Sequence, residues 1–230
     1  MQAVKIPTEI PFTSACLIAC GVLTGVGAVL NTADVEPGDT AVVFGVGGVG
    51  LNVIQGLAIA NAGRIIAVDT EPRKEALARQ FGATDFIDAG AVDAVDTIRD
   101  LYPFHPKMVK GPLGAGGVDW AFDCVGHTAL LQQCLEVLDW GGTAVEVGVP
   151  GFTDEVHFPA VNLVQVNRTI KGSRYGGSRP QHDIPLYAKW YQDGKLKLDE
   201  LVTRTYPLTD FSQVVDDMHA GTLARGVLEF

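Results

Sequence analysis

Two groups of residues in this chain have the types and spacing to do chemistry. Gly45-Val-Gly-Gly-Val-Gly50 follows a short β-branched run and opens a segment of helical length, and Asp69 closes the next β-branched run 19 residues after Gly50. In a strand–turn–helix unit each glycine has its own task. Gly45 permits the tight turn, Gly47 leaves the backbone open to a pyrophosphate, and Gly50 lets the helix pack on the strand. Gly48 and Val49 sit at the helix start, where free N–H groups face phosphates. A carboxylate at Asp69 accepts hydrogen bonds from both hydroxyls of an adenosine ribose and repels a 2′-phosphate, which favours NAD over NADP. Arg73 and Lys74 lie just beyond; they either neighbour that ribose or form a solvated helix face. The second group is Cys16-Leu-Ile-Ala-Cys-Gly21, two of the four cysteines. Thiols four apart share a helix face and either join other ligands on a metal or fill a core. The five histidines, at 105, 127, 157, 182 and 219, are scattered without ligand spacing.

The elements that must position these residues alternate along the chain. Strands are expected at 40–44, 64–69, 84–87, 118–123, 143–147 and 169–172, with helices at 49–61, 72–81, 92–101 and 128–138 and a helical turn near 160–166. Pro72 suits a helix start and Gly82 a helix stop. Strands alternating with helices of this length imply right-handed crossovers and a parallel, doubly wound α/β sheet, a Rossmann fold with helices on both faces. A helix at 181–193, a strand at 202–206, a helix at 211–220 and a short strand near 227 complete the chain. The stretch Tyr102–Gly117, rich in proline, glycine and lysine, reads as an exposed loop. The expected division is a lead-in segment and helix over 1–34, a dinucleotide-binding domain over 35–178 and C-terminal elements over 179–230.

Composition sets outer limits. A chain of 230 residues with 47% hydrophobic and 19% charged residues has the make-up of a globular protein able to bury a large core. A formal charge of −10 provides no basic stripe for nucleic acid, although fixed backbone dipoles and one or two local cations suffice for a small phosphate ligand. The apolar segment 15–30 is interrupted by Gly21, Gly25 and Gly27 and reads as a buried helix rather than a membrane span. The first residues lack the basic start and apolar run of a signal peptide, and the sparse cysteines read as reduced thiols in a cytoplasmic protein.

Cys16-Leu-Ile-Ala-Cys-Gly, Thr24-Gly-Val-Gly-Ala, Val35-Glu-Pro-Gly-Asp, the glycine loop and Phe81-Gly-Ala-Thr-Asp stand in one order. Gly117-Val-Asp-Trp-Ala-Phe-Asp, Val147-Gly-Val-Pro150, Lys171-Gly-Ser and Ala224-Arg-Gly-Val-Leu continue the series to the C-terminus. Together they resemble the zinc-dependent medium-chain alcohol dehydrogenases, nearest to the class that includes glutathione-dependent formaldehyde dehydrogenase. The resemblance implies roles by position. Cys20 matches a ligand of the catalytic zinc, Cys16 then being a small buried thiol. Thr24 matches the catalytic residue beside the nicotinamide, against which Val49 would press. Val125 and Gly126 match the adenosine-side wall, with His127 where relatives often carry arginine. Val147, Val149, Ser173 and Tyr175 match positions that hold the carboxamide, and Arg225 a pyrophosphate-binding arginine. Arg225 precedes the last strand and either reaches back to the sheet edge or is a surface cation.

The resemblance further implies an oxidoreductase that transfers hydride between a primary alcohol, or a hemithioacetal-type adduct, and NAD. It also implies a separate catalytic domain, not contained in this sequence, that supplies the other zinc ligands. Zinc is therefore expected only in the complete enzyme, with this chain inactive alone. The alternatives are a stand-alone dinucleotide-binding or regulatory module and a zinc-free reductase of the quinone-reductase type. Small alcohols or aldehydes are the expected partners, with neither nucleic acid nor membrane. A homodimer is expected through the edge of the cofactor domain, with Glu155-Val-His-Phe158, ended by Pro159, as candidate edge strand.

Overall fold

A computed structural model describes residues 3–102 and 116–230 of the chain. Most of the expected loop between Tyr102 and Gly117 therefore lies outside the described residues.

The apolar N-terminal run is helical from Phe12 to Ala33, as α1 (Phe12–Leu17), a π-helical turn (Ile18–Val22), α2 (Leu23–Gly27) and a second π-helical turn (Ala28–Ala33). By length and composition alone this run is long and apolar enough to cross a membrane, yet 56% of its most apolar window is buried within the chain. Val22, Leu23, Val26, Ala28 and Val29 have no exposed surface, which is the packing of a core helix. Asp34, in the left-handed region at φ 69°, ends the run by donating its N–H to the Val29 carbonyl at 3.0 Å.

The chain divides into two compact units, Thr24–Gly177 and Met1–Leu23 with Ser178–Phe230. The larger holds six parallel strands: β1 (Thr40–Phe44), β2 (Arg64–Asp69), β3 (Asp85–Asp88), β4 (Val118–Asp123), β5 (Leu138–Glu146) and β6 (Thr169–Gly172). Their order is β3-β2-β1-β4-β5-β6, so the winding reverses between β1 and β4. Helices α3 (Gly48–Ile59), α4 (Glu75–Phe81), α5 (Ala94–Leu101), α6 (Thr128–Glu136) and α7 (Val161–Val164) make the connections. In β1 all of Ala41 to Phe44 is buried, the continuous apolar pattern of a strand covered on both faces. Gly82 takes φ 119° at the end of α4, as its glycine stop signal implied.

Two expectations need correction. β5 begins at Leu138, five residues before the expected start, because its pairing with β4 carries an irregularity between Val118 and Trp120 that absorbs Asp139–Gly142. The glycine pair at 141–142 lies within this bulged stretch of β5. Residues 155–158 form no strand at all. The His157 carbonyl accepts from the Gln132 side chain at 2.7 Å, and Phe158 packs on the core. The sheet therefore ends at β6.

The smaller unit contains α8 (Pro180–Gln192), β7 (Val202–Pro207), α9 (Phe211–His219) and β8 (Arg225–Glu229), with β7 and β8 paired in parallel. Asp199 ties it to α1, accepting hydrogen bonds from Ser14 and from Tyr191.

Candidate functional site

The chemistry-bearing residues of the larger unit collect where the winding reverses, outside the carboxyl ends of β1, β2 and β4, where open α/β sheets form a crevice. A cleft of about 320 Å³ lies there, lined by Gly45, Asp69, Lys74 and Val125 with Phe44, Val68, Thr70, Ala89, Leu130 and Gln133. Glycine is required in the loop by contact. A Cβ on Gly50 would lie 1.8 Å from the Gly45 carbonyl oxygen, so α3 starts in direct contact with the turn. At Gly47, by contrast, a Cβ would meet nothing within 4 Å. The backbone there is bare, and the first N–H groups of α3, at Gly48, Val49 and Gly50, precede its first helical bond, from Leu51 N–H to the Gly47 carbonyl. This cradle fits an anionic pyrophosphate.

Asp69 ends β2 with only 8% of its side chain exposed. Its carboxylate accepts from the Val46 N–H at 2.7 Å and the Glu71 N–H at 3.0 Å, so it ties the glycine loop to the end of β2. Lys74 Nζ donates to both oxygens, at 2.9 and 3.1 Å. The two cations left open by the sequence thus separate: Lys74 is held in the cleft by Asp69, whereas Arg73 pairs with Glu71 at 3.1 Å on the surface.

Beyond the carboxyl ends of β4 and β5, Val125 is 54% and Val149 86% exposed, two bare apolar side chains, while Val147 is buried. Their turns touch. A Cβ on Gly126, which has φ 86°, would come within 2.5 Å of the Val149 nitrogen. His127 caps α6, its Nδ1 accepting from the Ala129 N–H at 3.2 Å. Thr24 is half-buried, and the next residue, Gly25, abuts the Val49 carbonyl and Asn52, which places Thr24 beside the start of α3. Tyr175 takes φ 55° in a turn at Arg174–Gly177 and is 39% exposed. That turn is joined to the second π-helical turn by the Asn31 amide, which donates to the Gly176 carbonyl, and by a 2.9 Å hydrogen bond between Thr32 and Ser173.

Cys20 and Arg225 belong to the smaller unit. There the Arg225 guanidinium lies against Gly21, where a Cβ would stand 2.6 Å from Nη2. Both Cys16 and Cys20 are exposed. The buried thiol expected at Cys16 is thus not found, because the helix turns that position outward; its Sγ contacts the Thr13 carbonyl at 3.2 Å, and partial burial pushes the thiol pKa up. Cys134 is the fully buried thiol, its pKa raised well above the ordinary range by burial. Among the described residues no group of three or more His, Cys, Asp or Glu side chains stands ready for a metal ion. A zinc ion therefore does not fit the described residues by themselves.

Sequence reasoning missed Thr70, Ala89, Leu130 and Gln133. A signal was available for the first two, since each directly follows the last residue of a strand on the crevice side. It also missed Glu146, which faces Asp123 across β4 and β5.

A family model described as zinc-binding dehydrogenase matches residues 48–193. The chain is 40% identical over 98% of its length to an alcohol dehydrogenase class-3 of Cereibacter sphaeroides, of which it covers 59%. It is 38% identical over its whole length to the S-(hydroxymethyl)glutathione dehydrogenase of Saccharomyces cerevisiae, covering 58% of that protein. Among solved structures, an alcohol dehydrogenase zinc-binding domain protein from Burkholderia ambifaria superposes with a TM-score of 0.90 at 35% identity, over 99% of this chain and 58% of that one. The chain thus spans under two thirds of the length of the relatives it matches.

Proposed function

The chain belongs to the zinc-binding dehydrogenase family, and from that premise we propose that it is the NAD-binding portion of an alcohol or aldehyde dehydrogenase. Its reaction is hydride transfer between NAD and a primary alcohol or a hemithioacetal-type adduct. The observation that carries the reading is Asp69, a nearly buried carboxylate at the end of β2 that lines a cleft together with Gly45, the first glycine of the loop.

In this reading the N–H groups at the start of α3 hold the pyrophosphate, as oriented dipoles that need no side-chain charge. Asp69 orients the adenosine ribose through its hydroxyls and resists a 2′-phosphate, with Lys74 sharing the same oxygens. Val125 and Gly126 form the adenosine-side wall, and Val49 supports the nicotinamide. Val147, Val149 and Tyr175 fix the carboxamide. Bound NAD supplies the hydride acceptor, and Thr24, beside Val49, orients the reacting group. Arg225 supplies a cation for the pyrophosphate.

Zinc enters through Cys20 as one ligand of the complete enzyme. One thiol does not hold the metal by itself. We further propose domains at 1–34, 35–178 and 179–230, a cytoplasmic setting, and a homodimer formed through the edge of the cofactor domain, with neither nucleic acid nor membrane as partner.

Calorimetric titration with NAD and NADP tests the assignment. Tighter binding of NAD than of NADP is expected. Failure to bind either, or a preference for NADP, would overturn it.

A further inference from the structure

Two acidic side chains unused by the proposed function face each other inside the larger unit. Asp123, the last residue of β4, is in register with Glu146, the last residue of β5. Asp123 has no exposed surface. Its Oδ1 accepts the N–H groups of Val125 at 2.7 Å and Gly126 at 3.0 Å, which pins the turn after β4. Asp123 Oδ2 and Glu146 Oε2 are both buried and have no hydrogen-bond partner among the described residues.

Two ionised carboxylates offer only acceptors, so neither can satisfy the other. An isolated buried charge with an unpaired oxygen is costly, and a carboxyl in that position takes up a proton instead. One proton resolves both orphans: a protonated Glu146 donates to Asp123, whose other oxygen already takes two backbone N–H groups. Among the described residues, the neighbouring groups named below supply no compensating cation. Cys124, in the turn, and Cys134, on α6, carry thiols whose pKa is raised by burial and by these two carboxyls. On β6 the register partner of Glu146 is Gly172, and Lys171, in register with Val145, gives its Nζ to the Thr32 and Ala33 carbonyls.

We propose that Asp123 and Glu146 share one proton, carried by Glu146, and that this pair is the positioning device for the turns 124–126 and 147–149 beside the dinucleotide cleft. Burial first, and then the adjoining Asp123 carboxylate, raise the Glu146 pKa from 4.5 to about 7. The geometry explains how the pair reaches the cleft. Asp123 sets the Val125–Gly126 turn through its side chain and, through its carbonyl, accepts the N–H groups of Val147 and Gly148, each at 2.9 Å. Ionising Glu146 places two like charges side by side at the root of both turns. The ligand-binding consequence rests on the dinucleotide reading above, whereas the shared proton does not.

Two experiments on the 230-residue chain test this. In the unliganded chain, carbon-13 NMR of labelled glutamate follows the Glu146 carboxyl, assigned with Glu146→Gln, while amide spectra follow Val125 and Gly126. A midpoint near neutrality, reported equally by the two amides and lowered in Asp123→Asn, is expected. A midpoint in the ordinary carboxylate range, or turn amides indifferent to it, would overturn the proposal. NAD affinity is then measured from about pH 6 to pH 8, either side of that midpoint. It is expected to fall roughly tenfold in the parent and to stay level in Glu146→Gln, whose amide still donates to Asp123. Parent and variant sharing one pH profile would contradict the positioning role. Should the chain bind no NAD at any pH, the dinucleotide reading fails while the NMR titration still decides the shared proton.

Discussion

Asp69 does more than wait for a ribose. It joins the glycine loop to β2 through the Val46 N–H and holds Lys74 in the cleft. Its removal strands a buried N–H and a cation as well as the ligand contact. Asp69→Ala is therefore expected to weaken NAD binding by at least tenfold, about 1.4 kcal/mol or more, in a calorimetric titration. Gly50 has a different, purely steric necessity. With the Gly45 carbonyl 1.8 Å from the Cβ position, Gly50→Ala is expected to destabilise the chain by roughly 3 kcal/mol, read as a lowered denaturation midpoint. The thiols sort by exposure: Cys16 and Cys20 should react with a thiol reagent in the native chain, and Cys134 only on unfolding. The glycine loop and Asp69 were legible as residues because their spacing is enforced by backbone contact and strand length. Lys74 was ambiguous, since a sequence does not tell which of two adjacent cations turns inward. Glu146 was invisible, because its partner is a neighbour across the sheet and not along the chain.

At the scale of elements, apolar runs of β-branched residues marked β1 and β2 closely because central parallel strands are buried on both faces. The end of α4 was legible because Gly82 declares it, whereas the cap of α5 was not read from the sequence. Asp93, at the start of α5, accepts the Asp96 N–H at 2.9 Å, and Asp93→Ala is expected to cost about 1 kcal/mol in thermal or denaturant unfolding. Elements failed to be legible where tertiary pairing overrode local signals. The Gly141–Gly142 pair continues β5 because β4 supplies a bulged partner, and 155–158, with good strand composition, finds its carbonyl already taken by Gln132. The π-helical turns of the Cys20 segment carry no sequence signal that pattern reading detects, although such turns gather at functional sites.

For the whole molecule, stability should depend on pH from two directions. Arg64 holds the Asp85 carboxyl below its ordinary 3.8, so the folded state binds fewer protons there, and that stabilisation is lost as pH falls through this low range. Glu146 acts oppositely: its folded pKa is raised, the folded state binds the extra proton, and stability falls as pH rises from 4.5 to about 7. The thermal midpoint of the chain should decline across that interval, and Glu146→Gln should abolish the decline. The central claim, that the crevice between β1, β2 and β4 takes a dinucleotide, is tested most directly by backbone amide NMR of the chain during addition of NAD. The largest shifts are expected at Gly47–Gly50, Thr70, Val125 and Gly126. Unchanged signals at those residues with saturating NAD, or changes confined to residues elsewhere, would contradict it.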